Sequence, residues 1–323
     1  MSLTSIIAKK AAVGFILFII TIAVNFTLIH LAPGDPITYL LAGQTAEGFP
    51  RGYIDEIKAK YGLDQPIPIQ FLAYTGQVFR GDFGDSFYHG KPVLDLVLER
   101  LPNTLILTGV GFAISVTFGL LLGVRCAKKP YSKFDNFFSI FSLIFWSLPF
   151  FWVGIMFIIT FSIYYKLLPA QGMVDVGAQG FEYLASYLRH LTLPAITLGL
   201  GGIAIYLRLA RASMLEQLNL DYIKTAWAKG CSFTEVFYGH AFKNALLPLI
   251  TIIALRMRFL IMGALLVETT FAWPGIGRLL YESIRVRDYG LIQCIFIFYS
   301  IITIVLSMAA DIAYAAVDPR LRK

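Results

Sequence analysis

The segment LPNTLILTGVGFAISVTFGLLLGV, from Leu101 to Val124, contains no ionisable side chain. As an α-helix it would extend about 36 Å, which exceeds the roughly 30 Å of hydrocarbon in a bilayer. Hydrophobic residues make up 57% of the 323-residue chain and charged residues only 15%, unlike the balance of a soluble domain. The sequence therefore predicts an all-α, polytopic membrane protein.

Five further segments are long and apolar enough to span a membrane, although Arg256 and Arg258 interrupt one of them. The six predicted helices cover about 11–31, 101–124, 136–165, 191–210, 244–267 and 290–312, within one membrane domain of residues 1–323. The first could be mistaken for a signal peptide, but its apolar run is too long and no small-x-small cleavage site follows it. We expect it to remain uncleaved.

The distribution of Lys and Arg predicts the orientation, because short cytoplasmic loops carry an excess of these residues. They are concentrated before the first helix, after the second, after the fourth and at the C-terminus. Both termini are therefore predicted in the cytoplasm of a cell with an inner or plasma membrane, residues 33–99 outside it, and residues 216–243 in a cytoplasmic loop. The net charge of +7 is explained by inner loops that face anionic lipid, so no nucleic-acid partner is expected.

Motifs for catalysis and metal binding are absent from the sequence. The three cysteines and four histidines are scattered, and there is no HExxH, GxSxG or Cys-His cluster. No catalytic residue and no metal ligand is predicted. A GxxxxGK[ST] phosphate loop is also missing, so any ATP that drives transport must be bound by another chain.

The cytoplasmic loop reads DYIKTAWAKGCSFTEVFYGHAFKNALLP from Asp221 to Pro248. Its pattern predicts two short helices, over 221–228 and 233–241. Gly230 would allow a tight reversal between them that a side chain would obstruct, and Ser232 or Thr234 would cap the second helix. An apolar face for a partner protein is predicted from the aromatic residues Trp227, Phe233, Phe237 and Tyr238.

This loop resembles the coupling loop of ABC-transporter permeases, through which a separate ATPase drives a membrane subunit. Six motifs in order are similar to those of the membrane subunits of dipeptide, oligopeptide and nickel ABC importers. They are Leu31–Ile37, Gly81–Ser86, Glu99–Thr104, Arg208–Glu216, Glu268–Arg278 and Asp318–Arg320. Two details depart from the general permease signature: Lys224-Thr225-Ala226 replaces Glu-Ala-Ala, and Leu247-Pro248 comes a few residues late.

The resemblance implies a non-catalytic permease that forms half of a pathway for peptides, with oligosaccharides or nickel and metal chelates as alternative substrates. It further implies a second homologous permease, two cytoplasmic ATPase subunits that bind ATP and Mg, and an extracytoplasmic substrate-binding protein. No cofactor is expected on this chain. A secondary transporter or channel without an ATPase is a rival class, but it would require carboxylates within the membrane, where Asp311 is the only strong candidate.

Two groups of residues follow from this comparison. The predicted ATPase-coupling residues are Asp221, Lys224, Thr225, Ala226, Trp227, Gly230, Ser232, Phe233 and Phe237. An outer gate, or a contact with the binding protein, is predicted at Glu268, Trp273, Pro274, Gly275 and Gly277. The alternative for Trp273 is simple anchoring at the membrane interface.

Insertion of the two arginines of the fifth span into a membrane is energetically unfavourable, since an Arg near the membrane centre costs about 2.5–3.5 kcal/mol of insertion free energy. Residues two apart on a helix point about 200° away from each other, so Arg256 and Arg258 cannot share one face. At least one should meet water or substrate. Arg258 shares a helical stripe with Thr251 and is the better pathway candidate, while Arg256 would pair with a neighbouring subunit. The alternative is a displaced helix whose arginines extend to the membrane boundary.

Overall fold

The computed structural model describes residues 3–31, 65–86, 88–257 and 264–317. The predicted all-α class is confirmed: the elements are helices apart from one two-stranded antiparallel ribbon, β1 (Asp85–Ser86) with β2 (Lys91–Pro92). The first half contains α1 (Leu3–Leu31), α2 (Ile67–Arg80), α3 (Val93–Lys128), α4 (Lys133–Ser147) and α5 (Phe150–Phe157), which continues as a π-helix, π1 (Ile158–Tyr164). The second half contains α6 (Gly180–Leu218), α7 (Asp221–Ala228), π2 (Glu235–Phe242), α8 (Lys243–Met257), α9 (Ala264–Thr270), α10 (Ile276–Val286) and α11 (Tyr289–Val317).

Five helical stretches in the described part of the chain are long and apolar enough to cross a membrane. They are Lys10–Leu28, Val93–Lys128, Gly180–Leu218, Glu235–Met257 and Tyr289–Ala310. A sixth is obtained if α4 and the α5–π1 pair count together as one broken span. The polytopic architecture follows from these lengths.

The third predicted span, over 136–165, is not one straight helix. α4 ends at Ser147, α5 begins at Phe150, and the axes of the two helical segments differ by 107°. Pro149 explains the break, because it lacks a backbone N–H and forces the preceding residue, Leu148, into extended backbone at ψ 140°.

The chain divides into two compact units. One of them comprises residues 3–103 and 274–305. Within it, Ile22 of α1, Val78 of α2 and Ile297 of α11 form a buried apolar cluster. The hydroxyl of Ser86 donates to the Asp288 carboxylate, which also accepts from the Leu291 backbone N–H at 3.2 Å. The β-ribbon is thereby tied to the first turn of α11.

The other unit comprises residues 104–273 with the segment from 306 onward. In it α3 packs against α6, where Gly119 and Gly123 let the two helices approach closely. A Cβ at Gly119 would lie 3.0 Å from the Ile203 carbonyl oxygen, and one at Gly123 would collide with the carbonyl of Leu207. Small residues at these two positions therefore permit the close packing of α3 against α6.

A buried ion pair joins α4 to α6 in the same unit. Arg211 donates from Nε and Nη2 to the two carboxylate oxygens of Asp135, at 2.7 and 2.8 Å. Asp135 is almost fully buried, and it also accepts from the backbone N–H of Tyr131 at 2.8 Å. This two-pronged geometry is the strong form of an Arg–carboxylate contact and fixes the start of α4 against α6.

Candidate functional site: the inner hairpin

The inner hairpin consists of α7, the turn at 229–232 and π2. The predicted helix over 221–228 has the same bounds as α7. Local polar contacts hold its start: the Tyr222 hydroxyl donates to Gln217 Oε1 at 2.8 Å, and Lys224 Nζ donates to Asp221 Oδ1 at 2.8 Å. Both members of the Asp221–Lys224 pair are exposed, so this pair adds little stability and leaves two charges on the surface.

The turn depends on a left-handed glycine and a reciprocal helix cap. Gly230 has φ +81°, a conformation that side chains disfavour, but no atom lies within 4 Å of a Cβ placed there. The predicted obstruction would therefore come from a clash of the side chain with its own backbone and not with other parts of the structure. Ser232, rather than Thr234, forms the cap: its N–H and hydroxyl donate to the Glu235 carboxylate at 2.7 and 2.8 Å, and Glu235 N–H returns to Ser232 Oγ at 3.4 Å.

A buried core anchors the hairpin to the helices behind it. Ile223 and Ala226 of α7 and Phe237 of π2 pack with Val124 of α3 and Met214 of α6. Phe237 is 1% exposed. It therefore lies in the core of the hairpin and not on the predicted partner-facing surface. Ala226 is also buried, and the coupling roles of both residues remain predictions.

Three aromatic side chains remain on the hairpin surface: Trp227, Phe233 and Tyr238, with 43–45% of each exposed. The rings of Trp227 and Phe233 lie 6.3 Å apart, and Phe233 stacks on the buried Phe237 at 5.4 Å. The exposed rings are thus supported from below by the core. A rigid apolar surface with charged residues beside it is suited to binding another protein and contains no catalytic group.

The sequence predicts a separate short helix for the second arm of the hairpin. In the structure this arm is instead the beginning of the candidate membrane span Glu235–Met257. Helical backbone runs without interruption from Phe233 through π2 into α8, and Lys243 at the junction has helical dihedral angles of −57° and −42°. Within this continuous helix, π2 is the stretch whose backbone hydrogen bonds follow the i→i+5 pattern of a π-helix. The second arm of the hairpin and α8 therefore share one continuous helix.

Arg256, near the end of α8, lines a cavity of about 170 Å³. The other polar side chains around this cavity are Thr108, Ser115, Trp146 and Tyr206. No carboxylate in the described part of the chain lies within 4 Å of Arg256, whose side chain is exposed on the surface of this single chain. Thr251 donates its hydroxyl to the Leu247 carbonyl at 3.1 Å. Arg258, the other predicted pathway residue, lies outside the described residues.

The predicted outer gate contains two buried side chains. Glu268 and Trp273 are both fully buried: Thr104 Oγ1 donates to Glu268 Oε1 at 2.7 Å, and Trp273 packs against Leu107 and Leu191. The Trp273 ring therefore does not anchor the protein at the membrane interface. Neither side chain is accessible to a binding protein in this conformation. Of the two predicted roles, an outer gate therefore remains the prediction for these residues.

The remaining predicted outer residues frame the start of α10. The Pro274 carbonyl accepts from Asn103 Nδ2 at 2.9 Å, Gly275 precedes the helix with extended backbone, and Gly277 is buried in its first turn. These contacts fix the conformation of the turn that precedes α10. The predicted contact with a binding protein stays open for Pro274, which is partly exposed, whereas Gly275 is buried.

Comparison with known proteins agrees with these features. Residues 101–323 match the family described as binding-protein-dependent transport system inner membrane component, and residues 3–108 match the N-terminal region of such membrane components. The chain is 38% identical to a probable peptide ABC transporter permease, y4tP, of Sinorhizobium fredii, over 99% of this chain and 97% of the relative. It is 38% identical to the oligopeptide transport system permease AppB of Bacillus subtilis, over 92% of each chain. It is 35% identical to the di/tripeptide transport system permease DppB of Pseudomonas aeruginosa, over 98% of each chain.

The chain belongs to the family of inner-membrane components of binding-protein-dependent transport systems. It is accordingly a multi-pass, non-catalytic permease subunit of an ABC importer, as the sequence motifs predict. This assignment sets aside the rival class of secondary transporters and channels. The signal that carried the prediction was the order of the six motifs, whereas the cavity at Arg256 has no signature in the sequence.

Proposed function

We propose that the chain forms half of a translocation pathway for peptides. The names of its relatives, which describe peptide, oligopeptide and di/tripeptide permeases, support this substrate class. The cavity at Arg256 is chemically consistent with it, because a guanidinium offers five N–H donors to a carboxylate or to carbonyl oxygens. Arg256, rather than the predicted Arg258, is therefore the pathway residue that we propose from the described part of the chain.

In the proposed complex a second homologous permease completes the pathway, and two cytoplasmic ATPase subunits supply the energy. ATP and Mg bind to those subunits, and an extracytoplasmic binding protein delivers the peptide. The observation that carries this proposal is the inner hairpin, where an exposed aromatic surface rests on a buried core and is continuous with α8. Closure of the ATPase dimer against this surface would displace α8 as a rigid rod.

Uptake into proteoliposomes tests the proposal directly. The reconstituted complex, supplied with its binding protein, is expected to accumulate a labelled peptide only when ATP is present on the hairpin side. Excess unlabelled peptide should compete, whereas maltodextrin and nickel should not. Competition by nickel or by the sugar, and none by peptide, would replace the substrate class.

In the same assay Arg256→Gln should lower peptide uptake several-fold with basal ATP hydrolysis intact, because a charged hydrogen bond to the solute is lost.

The proposed orientation places both termini and the hairpin in the cytoplasm. Single cysteines introduced at Lys129 and Ala228, in a cysteine-free background, are expected to react with a membrane-impermeant maleimide only after the membrane is opened. Cysteines at Gln179 and Phe181 should react in intact cells. Labelling of Ala228→Cys from outside would contradict the orientation, because a cytoplasmic ATPase could not then reach the hairpin.

A further inference from the structure

Two cavities lie along α3, within the unit that contains residues 104–273, and the first of them is lined by α3 and α6 together. The first, of about 600 Å³, has an almost wholly apolar lining that includes Val110 and Ile114. The second, of about 880 Å³, ends among Arg125, Lys128 and Lys129. Phe118 and Leu122 line both cavities, so the two adjoin along α3, and we call the pair the α3 groove.

The apolar half of the α3 groove has the length of a lipid chain. Val110, Ile114, Phe118 and Leu122 recur every four residues and therefore lie along one side of the helix. From the first to the last of them the helix rises about 18 Å. One leaflet of a bilayer has about 15 Å of hydrocarbon, so an acyl chain could follow this stripe over its full length.

The other half of the α3 groove is positively charged. Arg125, Lys128 and Lys129 are exposed at the last turn of α3, and in the described residues none of them lies within 4 Å of a carboxylate. The nearby Asp135 is already bound by Arg211. Aromatic rings hold two of the cations in place: Arg125 lies over Phe134 at 5.2 Å, and Lys128 over Phe233 at 5.6 Å.

We propose that the α3 groove binds an anionic phospholipid of the leaflet on the hairpin side. The phosphate would be held by Arg125, Lys128 and Lys129, and an acyl chain would lie along the stripe from Leu122 to Val110. Charge decides in favour of lipid over an apolar protein surface, because three cations without carboxylate partners match a phosphate and would be costly to bury against an apolar helix. Tyr238 and Phe242 of π2 also line the groove, so the bound lipid would touch the inner hairpin.

Native mass spectrometry of the full-length chain, purified with the subunits that accompany it and then delipidated, tests this site. Phosphatidylglycerol is expected to bind at least about tenfold more tightly than phosphatidylcholine with the same acyl chains. Glycerol phosphate, which has a related head group and no chains, should not bind at the same concentrations. Equal affinity for the two phospholipids, or binding of glycerol phosphate alone, would overturn the proposal.

Substitutions of the basic residues test whether phosphatidylglycerol binds in the α3 groove. Replacing Arg125, Lys128 and Lys129 together by Gln should lower the affinity for phosphatidylglycerol at least about tenfold, since each basic residue near an anionic head group contributes. The matched control replaces Arg208, Lys229 and Lys243 by Gln, which removes the same charge from exposed positions outside the set that holds the phosphate. An equal loss in the two triple variants would show that only overall charge matters and would contradict a site.

A second variant keeps the test valid if the triple variant does not assemble. Phe118 is 51% exposed and its replacement by Ala leaves every charge in place. Phe118→Ala should weaken phosphatidylglycerol with long chains several-fold and leave a short-chain phosphatidylglycerol unchanged. Efficient cross-linking of a cysteine at position 118 to a partner subunit, with no lipid bound, would assign the groove to protein contact and overturn the proposal.

Discussion

Replacing Trp227 and Phe233 together by alanine is expected to abolish the association of this permease with its ATPase subunits. The two rings are the adjacent exposed aromatics of the inner hairpin, and the buried Phe237 supports them. Aromatic hot-spot residues cost about 2 kcal/mol or more when truncated at an interface, which is about thirtyfold each in the dissociation constant. The measurement is the amount of ATPase retained by the tagged full-length permease, together with peptide-stimulated ATP hydrolysis.

The matched control replaces Tyr164 and Phe181 by alanine, since these rings are also exposed. Tyr164 lies at the end of the predicted third span, and Phe181 lies in the loop that the proposed orientation places outside the cell. This control variant should retain the ATPase at the wild-type level. A thermal unfolding curve of each purified variant separates a lost contact from a lost fold. Normal ATPase retention by the Trp227→Ala, Phe233→Ala variant would remove the hairpin surface from the proposed interface.

Breaking the Asp135–Arg211 pair should have the largest effect on stability. Arg211→Gln leaves the buried Asp135 carboxylate with the Tyr131 N–H and the Ser139 hydroxyl as its hydrogen-bond donors. Removing one member of a buried pair typically costs about 3–5 kcal/mol, and the lower end applies here because the Arg211 side chain is 23% exposed. We expect a clear fall in the melting temperature of the purified full-length chain in detergent.

Arg208→Gln is the control for this change, because Arg208 lies one turn earlier on α6 and is exposed. Its melting temperature should stay close to that of the wild type. The double variant Asp135→Asn, Arg211→Gln should recover part of the loss, since no uncompensated charge is then buried. Equal melting temperatures for Arg211→Gln and Arg208→Gln would show that the pair does not stabilise the packing of α4 on α6.

Local patterns explain which features of the fold could be predicted from the sequence. The length of the charge-free run at 101–124 is sufficient to predict a span, and the glycine at position 230 is sufficient to predict a turn. The bend at Pro149 also has a local signal, because a proline in mid-span disfavours helix at the residue before it. The predicted span over 136–165 does not include this bend, because hydrophobicity alone does not distinguish one straight span from two segments joined at a bend.

Other features depend on contacts between distant residues, and no local pattern contains them. Asp135 and Arg211 are 76 positions apart, so their pairing follows only from the packing of α4 on α6. Phe233 and Phe237 belong to the same aromatic sequence, yet one is exposed and the other is buried because π2 turns its inner side toward Met214 and Val124. Sequence reasoning therefore identified the hairpin but assigned one core residue to its surface.

The unbroken helix from Phe233 to Met257 sets the azimuth of Arg256 relative to the hairpin. Each residue of an α-helix adds about 100° of rotation about its axis, so the angle between the hairpin rings and the guanidinium depends on the number of residues that separate them. Adding or deleting one residue between Phe242 and Arg256 would swing the arginine by about a quarter turn. The spacing along this helix is thus under an angular constraint as well as an axial one: a change near a whole number of turns would preserve the angle but would move the arginine along the axis by about 5.4 Å per turn.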